Sequence, residues 1–204
     1  RNVGIEVSKG DYITFVDADD YLEKNAYKEV FNSYPKNSPD LIIFDHDRVY
    51  NDYTIKNAYS IKDQTINISK NDMLSYILLT GYVVWNKVYR SDLIKEHNLK
   101  FVRNHKSVIE DYLFNVSYSI WVKSVKMISK SLYNYRQHDS QITRERNVEN
   151  DLIRYINTSQ EFYEYLRCNF SLTVAKDRAS IFTMTLVNSW LFEMKRNQIP
   201  RTEI

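Results

Sequence analysis

The feature that most constrains this chain is a short apolar run that stops at a group of acids. Residues Tyr12 to Val16 are of strand-forming type, and Asp17-Ala18-Asp19-Asp20 follows them directly. A short apolar run closed by turn-forming residues predicts a buried strand whose C-terminal end lies at the acids. Asp17, Asp19 and Asp20 are called the acidic cluster below.

The segments after the acidic cluster predict an α/β sheet. Leu22 to Tyr34 has the apolar spacing of a helix, Pro35 to Pro39 ends it, and Leu41 to Phe44 predicts a second buried strand. Strand, helix and strand in succession are typical of α/β folds, in which ligands gather at the carboxyl ends of strands. Residues 47–67 predict short antiparallel strands.

The rest of the chain predicts further short strands and several helices. The predictions are a capped helix from Ser69 to Leu79, short strands within residues 83–89, a helix over 110–121, a strand pair over 127–135, and tail helices over 150–169 and 177–197.

Length and composition limit the class of protein. The 204 residues suit one domain with a small appendage, and a formal net charge of +2 without a basic run argues against a nucleic-acid partner. The single cysteine, Cys168, excludes an internal disulfide and suits a reducing compartment. No run of about 18 apolar residues is present, so the sequence predicts no membrane span.

Two carboxylates in an Asp-x-Asp arrangement at a strand end can share a divalent cation with a diphosphate. Mg²⁺ prefers oxygen ligands and keeps substrate phosphates among them. It would neutralise charge on a departing nucleotide diphosphate, which is Lewis-acid catalysis. On spacing alone, a solvated turn or a helix cap at Asp19 or Asp20 is the commoner explanation.

The residues around the acidic cluster resemble the signature of family 2 glycosyltransferases. Arg1-Asn2-Val3-Gly4, then Gly10-Asp11-Tyr12-Ile13, then the strand ending in Asp17-Ala18-Asp19-Asp20 follow the order of that family. Three later segments also resemble family elements: Trp85-Asn86-Lys87-Val88-Tyr89, Glu110-Asp111-Tyr112-Leu113-Phe114, and Tyr133-Asn134-Tyr135-Arg136-Gln137-His138 with Ser140-Gln141-Ile142-Thr143. The resemblance covers about the first 145 residues.

This resemblance implies an α/β fold of the GT-A type, with a mixed sheet flanked by helices. Residues 1–145 would form a core that begins inside the nucleotide-binding half, and residues 146–204 a helical C-terminal region. The first strand–helix–strand units of the family are missing from the sequence. The sheet is therefore expected to expose an edge and apolar surface.

The resemblance also implies an activity. It is the inverting, metal-dependent transfer of a sugar from a nucleotide-sugar, expected to be a uridine-diphosphate sugar, to a hydroxyl of a glycan or lipid-linked glycan acceptor in cell-surface polysaccharide biosynthesis. The implied cofactor is a divalent cation, Mn²⁺ or Mg²⁺, and the implied location is cytoplasmic. Peripheral contact with the inner membrane face and homo-oligomerisation stay open.

Each site residue is carried over from the matching motif. The residues implied for donor binding are Arg1, Asp17, Asp19 and Arg136, and those implied for the metal are Asp19 and His138. Asp111 is the implied general base, because an alcohol attacks well only when its proton is removed as the bond forms. The residues implied for acceptor binding are Trp85, Asn86, Lys87 and Glu110.

Several of these residues have a plain structural explanation as well. Asp111 would interact favourably with the dipole at a helix N-terminus, Trp85 would pack in the core, and His138 would be a solvated loop histidine.

Two other functions compete with transfer. The first is that of the haloacid-dehalogenase-like phosphatases, whose motif has Thr or Val at the position where this chain has Tyr21. That difference argues against a phosphatase. A non-catalytic fragment or carbohydrate-binding scaffold would retain the acidic cluster without turnover.

Overall fold

The computed structural model describes residues 1–32, 38–67, 83–102, 110–138, 148–176, 178–180, 182–184 and 186–187. The chain divides into two compact units. The first comprises Arg1–Phe101 and Phe114–Gln141, and the second comprises Val102–Leu113 and Ile142–Ile204. The second unit therefore contains residues 102–113 as well as the C-terminal region.

The described residues form short strands and helices that follow one another closely. In chain order these are α1 (Asn2–Val7), β1 (Tyr12–Thr14), β2 (Tyr21–Leu22), α2 (Ala26–Asn32), β3 (Leu41–Val49), β4 (Thr54–Ile55), β5 (Gln64–Asn67), β6 (Lys87–Arg90), α3 (Ser91–Glu96), α4 (Glu110–Ser119), β7 (Ser124–Arg136) and α5 (Val148–Asn169). Residues 172–176, 178–180, 182–184 and 186–187 are also helical. The helix predicted from Ser69 lies outside the described residues.

The strands of the first unit form one mixed sheet. Its main path is β1-β6-β3-β7-β2, with β4 paired to β3 and β5 paired to β7. The β3–β7 pair is parallel, and the other pairs are antiparallel. Because β6 is antiparallel to both β1 and β3, the strand before the acids and the second buried strand run in the same direction. The predicted α/β class with a mixed sheet is confirmed.

The core of the first unit is built around β3. Leu41, Ile42, Ile43 and Phe44 are at most 2% exposed. A strand that is buried on both faces needs apolar residues at successive positions, which explains the unbroken apolar run. The α2 helix contributes Ala26 and Val30 to the same cluster as Ile42 and Phe44.

Several element predictions are wrong in detail. Residues Val83 to Trp85 do not form a strand, and pairing with β7 explains two other differences. Leu22 is not the start of a helix: it lies in β2, opposite Tyr133, and α2 begins at Ala26. The predicted strand pair over 127–135 is one strand, β7, whose register with β3 shifts beside Asp45. Such an irregularity bends a strand without ending it. The interruption of the apolar pattern within residues 127–135 therefore marks a bend in one strand and not a turn between two.

The β1 strand has an unpaired edge among the described strands, where it pairs only with β6. Val3 and Val7 of α1 are 62% and 68% exposed, and Val16 after β1 is 44% exposed. The described part of the first unit therefore exposes apolar side chains, and an exposed sheet edge stays a prediction.

The second unit has its own aromatic core. Phe182 is fully buried, and its ring lies 4.6 Å from Phe162 of α5 and 4.9 Å from Tyr112 of α4. Leu166 of α5 is fully buried as well. Among the described helices, none has the length and apolar character that crossing a bilayer requires.

Candidate donor-binding site

The acidic cluster forms a turn held by a buried aromatic residue. Phe15 is 8% exposed and makes edge contacts with the rings of Tyr89, Phe101 and Phe114, with centroids 5.1 to 5.7 Å away. The Asp20 amide then donates a hydrogen bond to the Asp17 carbonyl at 3.1 Å. This backbone bond closes a tight turn, so the acids lie at the C-terminal end of β1.

One side of the acidic cluster carries an ion pair with the first residue. The Arg1 guanidinium donates to Asp17 Oδ1 at 2.7 Å and lies 5.2 Å from the centre of the Phe101 ring. Their side chains are 27% and 33% exposed, and an ion pair at such a surface contributes little to stability. The pair does place a cation with planar hydrogen-bond donors beside an acid that solvent can reach.

On the other side, His138 reaches Asp19. The His138 Nε2 atom lies 2.9 Å from Asp19 Oδ2, although 119 residues separate the two in the chain. The hydrogen bond with His138 lowers the pKa of the Asp19 carboxyl, so this carboxylate is ionised at neutral pH. The two side chains are 33% and 48% exposed, which leaves them accessible to a ligand.

Asp19 and His138 together fit part of a divalent-cation site. Carboxylate oxygen suits Mg²⁺ and Mn²⁺, and imidazole is an accepted ligand for several divalent metals. Among the described residues, no group of three or more His, Cys, Asp or Glu side chains has a metal-binding arrangement. The remaining ligands of an ion at Asp19 and His138 would have to be diphosphate oxygens and water.

Asp20 differs from the other two acids because its oxygens face protein donors. The Tyr133 hydroxyl donates to Asp20 Oδ2 at 2.7 Å, and the Arg136 amide donates to Oδ1 at 2.9 Å. Burial raises the pKa of the Asp20 carboxyl, and these two hydrogen bonds oppose that effect. Burial also raises the pKa of the Tyr133 hydroxyl, which therefore remains protonated.

The sequence pattern predicts no functional role for Tyr133, and for Asp20 it suggests only a helix cap. A signal was present, because Tyr133 begins the segment that ends in Arg136 and His138 and lies on a strand. Side chains two apart on a strand share one face, which groups Tyr133 with Tyr135. The sequence does not reveal that the hydroxyl reaches the acidic cluster.

The predicted donor and metal residues come together at the ends of β1 and β7. Asp17 contacts Arg1, and Asp19 contacts His138. The exposed Arg136 acts electrostatically on Asp19, lowering the pKa of its carboxyl further. These five residues form one polar surface.

The predicted acceptor residues of the first unit are buried. Trp85 is 4% exposed and stacks on Tyr133 and Tyr135, with ring centroids 4.4 and 5.4 Å away. Asn86 and Lys87 are fully buried, and Lys87 Nζ donates to Asn86 Oδ1 at 2.8 Å and to the Val83 carbonyl at 2.7 Å. These contacts support the core-packing explanation for Trp85, and acceptor contact by the three residues stays a prediction.

Glu110 and Asp111 are the first two residues of α4 and belong to the second unit. Glu110 is exposed and Asp111 is partly exposed. Acids in the first turn of a helix interact favourably with its dipole, and such a position leaves a carboxylate available for chemistry. The roles of acceptor contact and general base stay predictions.

Comparison with known proteins identifies relatives of this chain. Residues 1–97 match the glycosyl transferase family 2 domain. EpsH of Bacillus subtilis (strain 168), whose name describes a glycosyltransferase, is 31% identical over 148 residues, or 71% of this chain and 42% of EpsH. Poly(ribitol-phosphate) beta-N-acetylglucosaminyltransferase TarP of Staphylococcus aureus (strain N315) is 27% identical over 135 residues, or 66% of this chain and 39% of TarP. The chain therefore spans less than half the length of these relatives.

A solved structure shows the same fold. The crystal structure of S. aureus TarS 1-349 in complex with UDP-GlcNAc superposes with a TM-score of 0.65 at 19% sequence identity. The match covers 89% of this chain and 50% of the TarS chain. The curled mixed sheet with helices is thus the GT-A-like glycosyltransferase fold.

Proposed function

The chain belongs to glycosyl transferase family 2, and from this premise we propose that the protein transfers a sugar from a nucleotide-sugar to a hydroxyl of a glycan acceptor. The observation that carries the proposal is the 2.9 Å contact between Asp19 and His138. Two motifs that are distant in the sequence meet there, next to the Arg1–Asp17 pair. If the acidic cluster were only a solvated turn, it would need no contact with the segment that contains His138.

The donor would bind through its diphosphate. Arg1 and Arg136 supply planar sets of N–H donors that match phosphate oxygens. Asp19 and His138 would hold Mn²⁺ or Mg²⁺, which supplies Lewis-acid stabilisation of the departing diphosphate. Asp17, oriented by Arg1 at 2.7 Å, would contact the nucleotide ribose or the metal.

The proposed reaction is a single displacement at the anomeric carbon. The acceptor oxygen forms a bond to that carbon while the bond from the carbon to the diphosphate oxygen breaks, so the configuration inverts. The acceptor proton passes to the Asp111 carboxylate, and the nucleoside diphosphate leaves with the bonding electron pair. A positioned carboxylate base contributes about 10²- to 10⁴-fold to such a rate.

Related proteins guide the choice of substrates. TarS has been crystallised with UDP-GlcNAc, and TarP is named as a poly(ribitol-phosphate) beta-N-acetylglucosaminyltransferase. We therefore expect a uridine-diphosphate sugar as donor and a cell-surface polymer or its lipid-linked precursor as acceptor. Such an acceptor would place the protein in the cytoplasm at the inner membrane face, through peripheral contact.

The test measures release of nucleoside diphosphate from a panel of nucleotide-sugars, with and without Mn²⁺, by the protein that the complete gene encodes and by this 204-residue chain. We expect turnover that requires metal and falls by about 10²-fold or more in Asp19→Ala and in Asp111→Asn. Turnover by the short chain as well would show that these residues suffice.

Two control variants each change an exposed acid whose position resembles that of a tested residue: one lies next to β1, as Asp19 does, and the other lies in the first turn of a helix, as Asp111 does. Asp11→Ala removes an acid just before β1, and Asp92→Asn removes one in the first turn of α3. Both are expected to retain activity. Donor binding without turnover in any acceptor mixture would favour the non-catalytic scaffold, and absence of donor binding would refute the transferase.

A further inference from the structure

Tyr133 connects the core of the first unit to the acidic cluster. Its ring is fully buried in β7 and stacks on Trp85 at 4.4 Å with an interplanar angle of 16°. Its hydroxyl donates to Asp20 Oδ2 at 2.7 Å and accepts a hydrogen bond from the Asp17 amide at 3.2 Å. A single hydroxyl therefore holds both ends of the turn that carries Asp19.

Asp20 extends this connection to the segment after β7. Its Oδ1 accepts the Arg136 amide at 2.9 Å, two residues before His138. The neighbouring backbone pairs Tyr21 with Asn134 and Leu22 with Tyr133. Both oxygens of Asp20 are thus engaged by protein donors, unlike the exposed carboxylate of Asp19.

We infer that Tyr133 and Asp20 are positioning residues, which hold Asp17 and Asp19 in register with Arg136 and His138. The inference rests on the proposed function, since it assigns to the pair the pre-organisation of that donor and metal site. Binding groups that are already in place lose less freedom when a ligand arrives. The pair is expected to act on donor binding and not on the chemical step.

The Tyr133→Phe variant isolates the hydroxyl. The phenyl ring keeps the stack on Trp85, while the Asp17 amide and Asp20 Oδ2 lose their partner. The chain offers a matched control in Tyr89→Phe. Tyr89 is also fully buried, and its hydroxyl donates to Asn115 at 2.6 Å instead of to the acidic cluster.

The first measurement is amide hydrogen exchange by NMR, on the protein that the complete gene encodes and without substrate. In Tyr133→Phe, the amides of residues 17–20 and of Arg136 are expected to exchange about tenfold faster, because a lost hydrogen bond changes an opening equilibrium by about that factor. Asp20→Asn is expected to act on the same amides. The double variant should add little to the larger single effect, since both changes break one network.

The second measurement is steady-state kinetics with Mn²⁺ and the nucleotide-sugar that the donor panel selects. Tyr133→Phe is expected to raise KM for the donor about tenfold and to change kcat less than about threefold, whereas Tyr89→Phe changes neither. A general loss of folding would not separate KM from kcat in this way.

Two exchange results would overturn the inference: unchanged exchange at residues 17–20 in Tyr133→Phe, or the same acceleration in Tyr89→Phe. A fall in kcat with KM unchanged would contradict the positioning role as well. If the wild-type protein turns over no donor, the proposed function fails. The exchange measurement still decides whether Tyr133 and Asp20 order the acidic cluster.

Discussion

At the scale of single residues, His46 is the clearest case of a side chain whose chemistry is set by burial. It is 1% exposed, and its ring lies between Tyr59 and Trp85, with centroids 4.5 and 4.7 Å away. Nδ1 has no hydrogen-bond partner among the described residues. Burial lowers the pKa of His46 to about 4, despite Asp45 Oδ1 at 3.8 Å from Nδ1. The imidazole is therefore neutral at pH 7, and the two residues do not form an ion pair there.

This pKa makes stability depend on pH. In the unfolded chain His46 takes up a proton near pH 6.5, whereas in the folded protein it does so only near pH 4. Between these values the unfolded state binds more protons, so the free energy of unfolding falls as the pH is lowered. Between pH 7 and pH 4.5 the expected loss is on the order of 2 kcal/mol.

Urea denaturation across that pH range tests the prediction. His46→Phe keeps an aromatic ring but cannot be protonated, so its stability is expected to fall less as the pH is lowered. His97→Phe changes a partly exposed histidine that stacks on Trp121 at 3.5 Å, and it should retain the wild-type slope. Equal slopes for wild type and His46→Phe would refute the assignment.

At the scale of elements, Asp40 joins the ends of three strands. It directly precedes β3, and Oδ1 accepts the Arg90 guanidinium of β6 at 3.0 Å. Oδ2 accepts the amides of Lys123 and Ser124 at the start of β7, at 2.8 and 3.1 Å. Asp40 is 6% exposed, so a loss of its carboxylate would leave these amides without their charged partner. The carboxylate fixes the alignment of neighbouring strand ends.

Asp40→Ala is therefore expected to lower the free energy of unfolding by about 3 kcal/mol. Hydrogen bonds to a buried charge are strong, and the substitution leaves their donors without an acceptor. Asp92→Ala is the control: Asp92 Oδ2 lies 3.9 Å from Arg90 Nε, but its side chain is 75% exposed. Its removal should cost no more than about 0.5 kcal/mol. Chemical denaturation measures the loss of stability in both variants. Similar losses would contradict the role assigned to the Asp40 carboxylate.

At the scale of the whole molecule, each compact unit has a core of its own. The first is the mixed sheet with α2, and the second is centred on Phe182. Truncation of a buried Phe removes packing and leaves a cavity, which costs about 3–5 kcal/mol. Phe182→Ala is expected to destabilise the second unit by that amount.

Hydrogen exchange resolves where this destabilisation occurs. Amides of α5 should lose protection in Phe182→Ala, while those of β3 should change less. Phe31→Ala is the matched control, because Phe31 is 58% exposed and its truncation should cost less than about 1 kcal/mol. Equal losses in both variants, or a larger loss in β3 than in α5, would show that the buried ring is not the centre of a separate core.

The sequence by itself determined the family, the α/β class and the candidate acids. It did so because these features are local: a strand that ends in Asp17-Ala18-Asp19-Asp20, or a run such as Leu41 to Phe44, carries its pattern within a few residues. The resemblance implied a shared metal role for Asp19 and His138, which stays a prediction, and the structure places the two side chains 2.9 Å apart.

Only the tertiary structure decided which acid of the cluster is exposed and which is held by hydrogen bonds from the protein. Asp19 and Asp20 are adjacent in the sequence, yet one is exposed beside His138 and the other is held by Tyr133. Pairing with β7 also made Leu22 a strand residue, and packing on Tyr133 buried Trp85. Each of these outcomes depends on a partner more than about 45 residues away. Such long-range contacts override local propensity because burial and strand pairing contribute more free energy than propensity does.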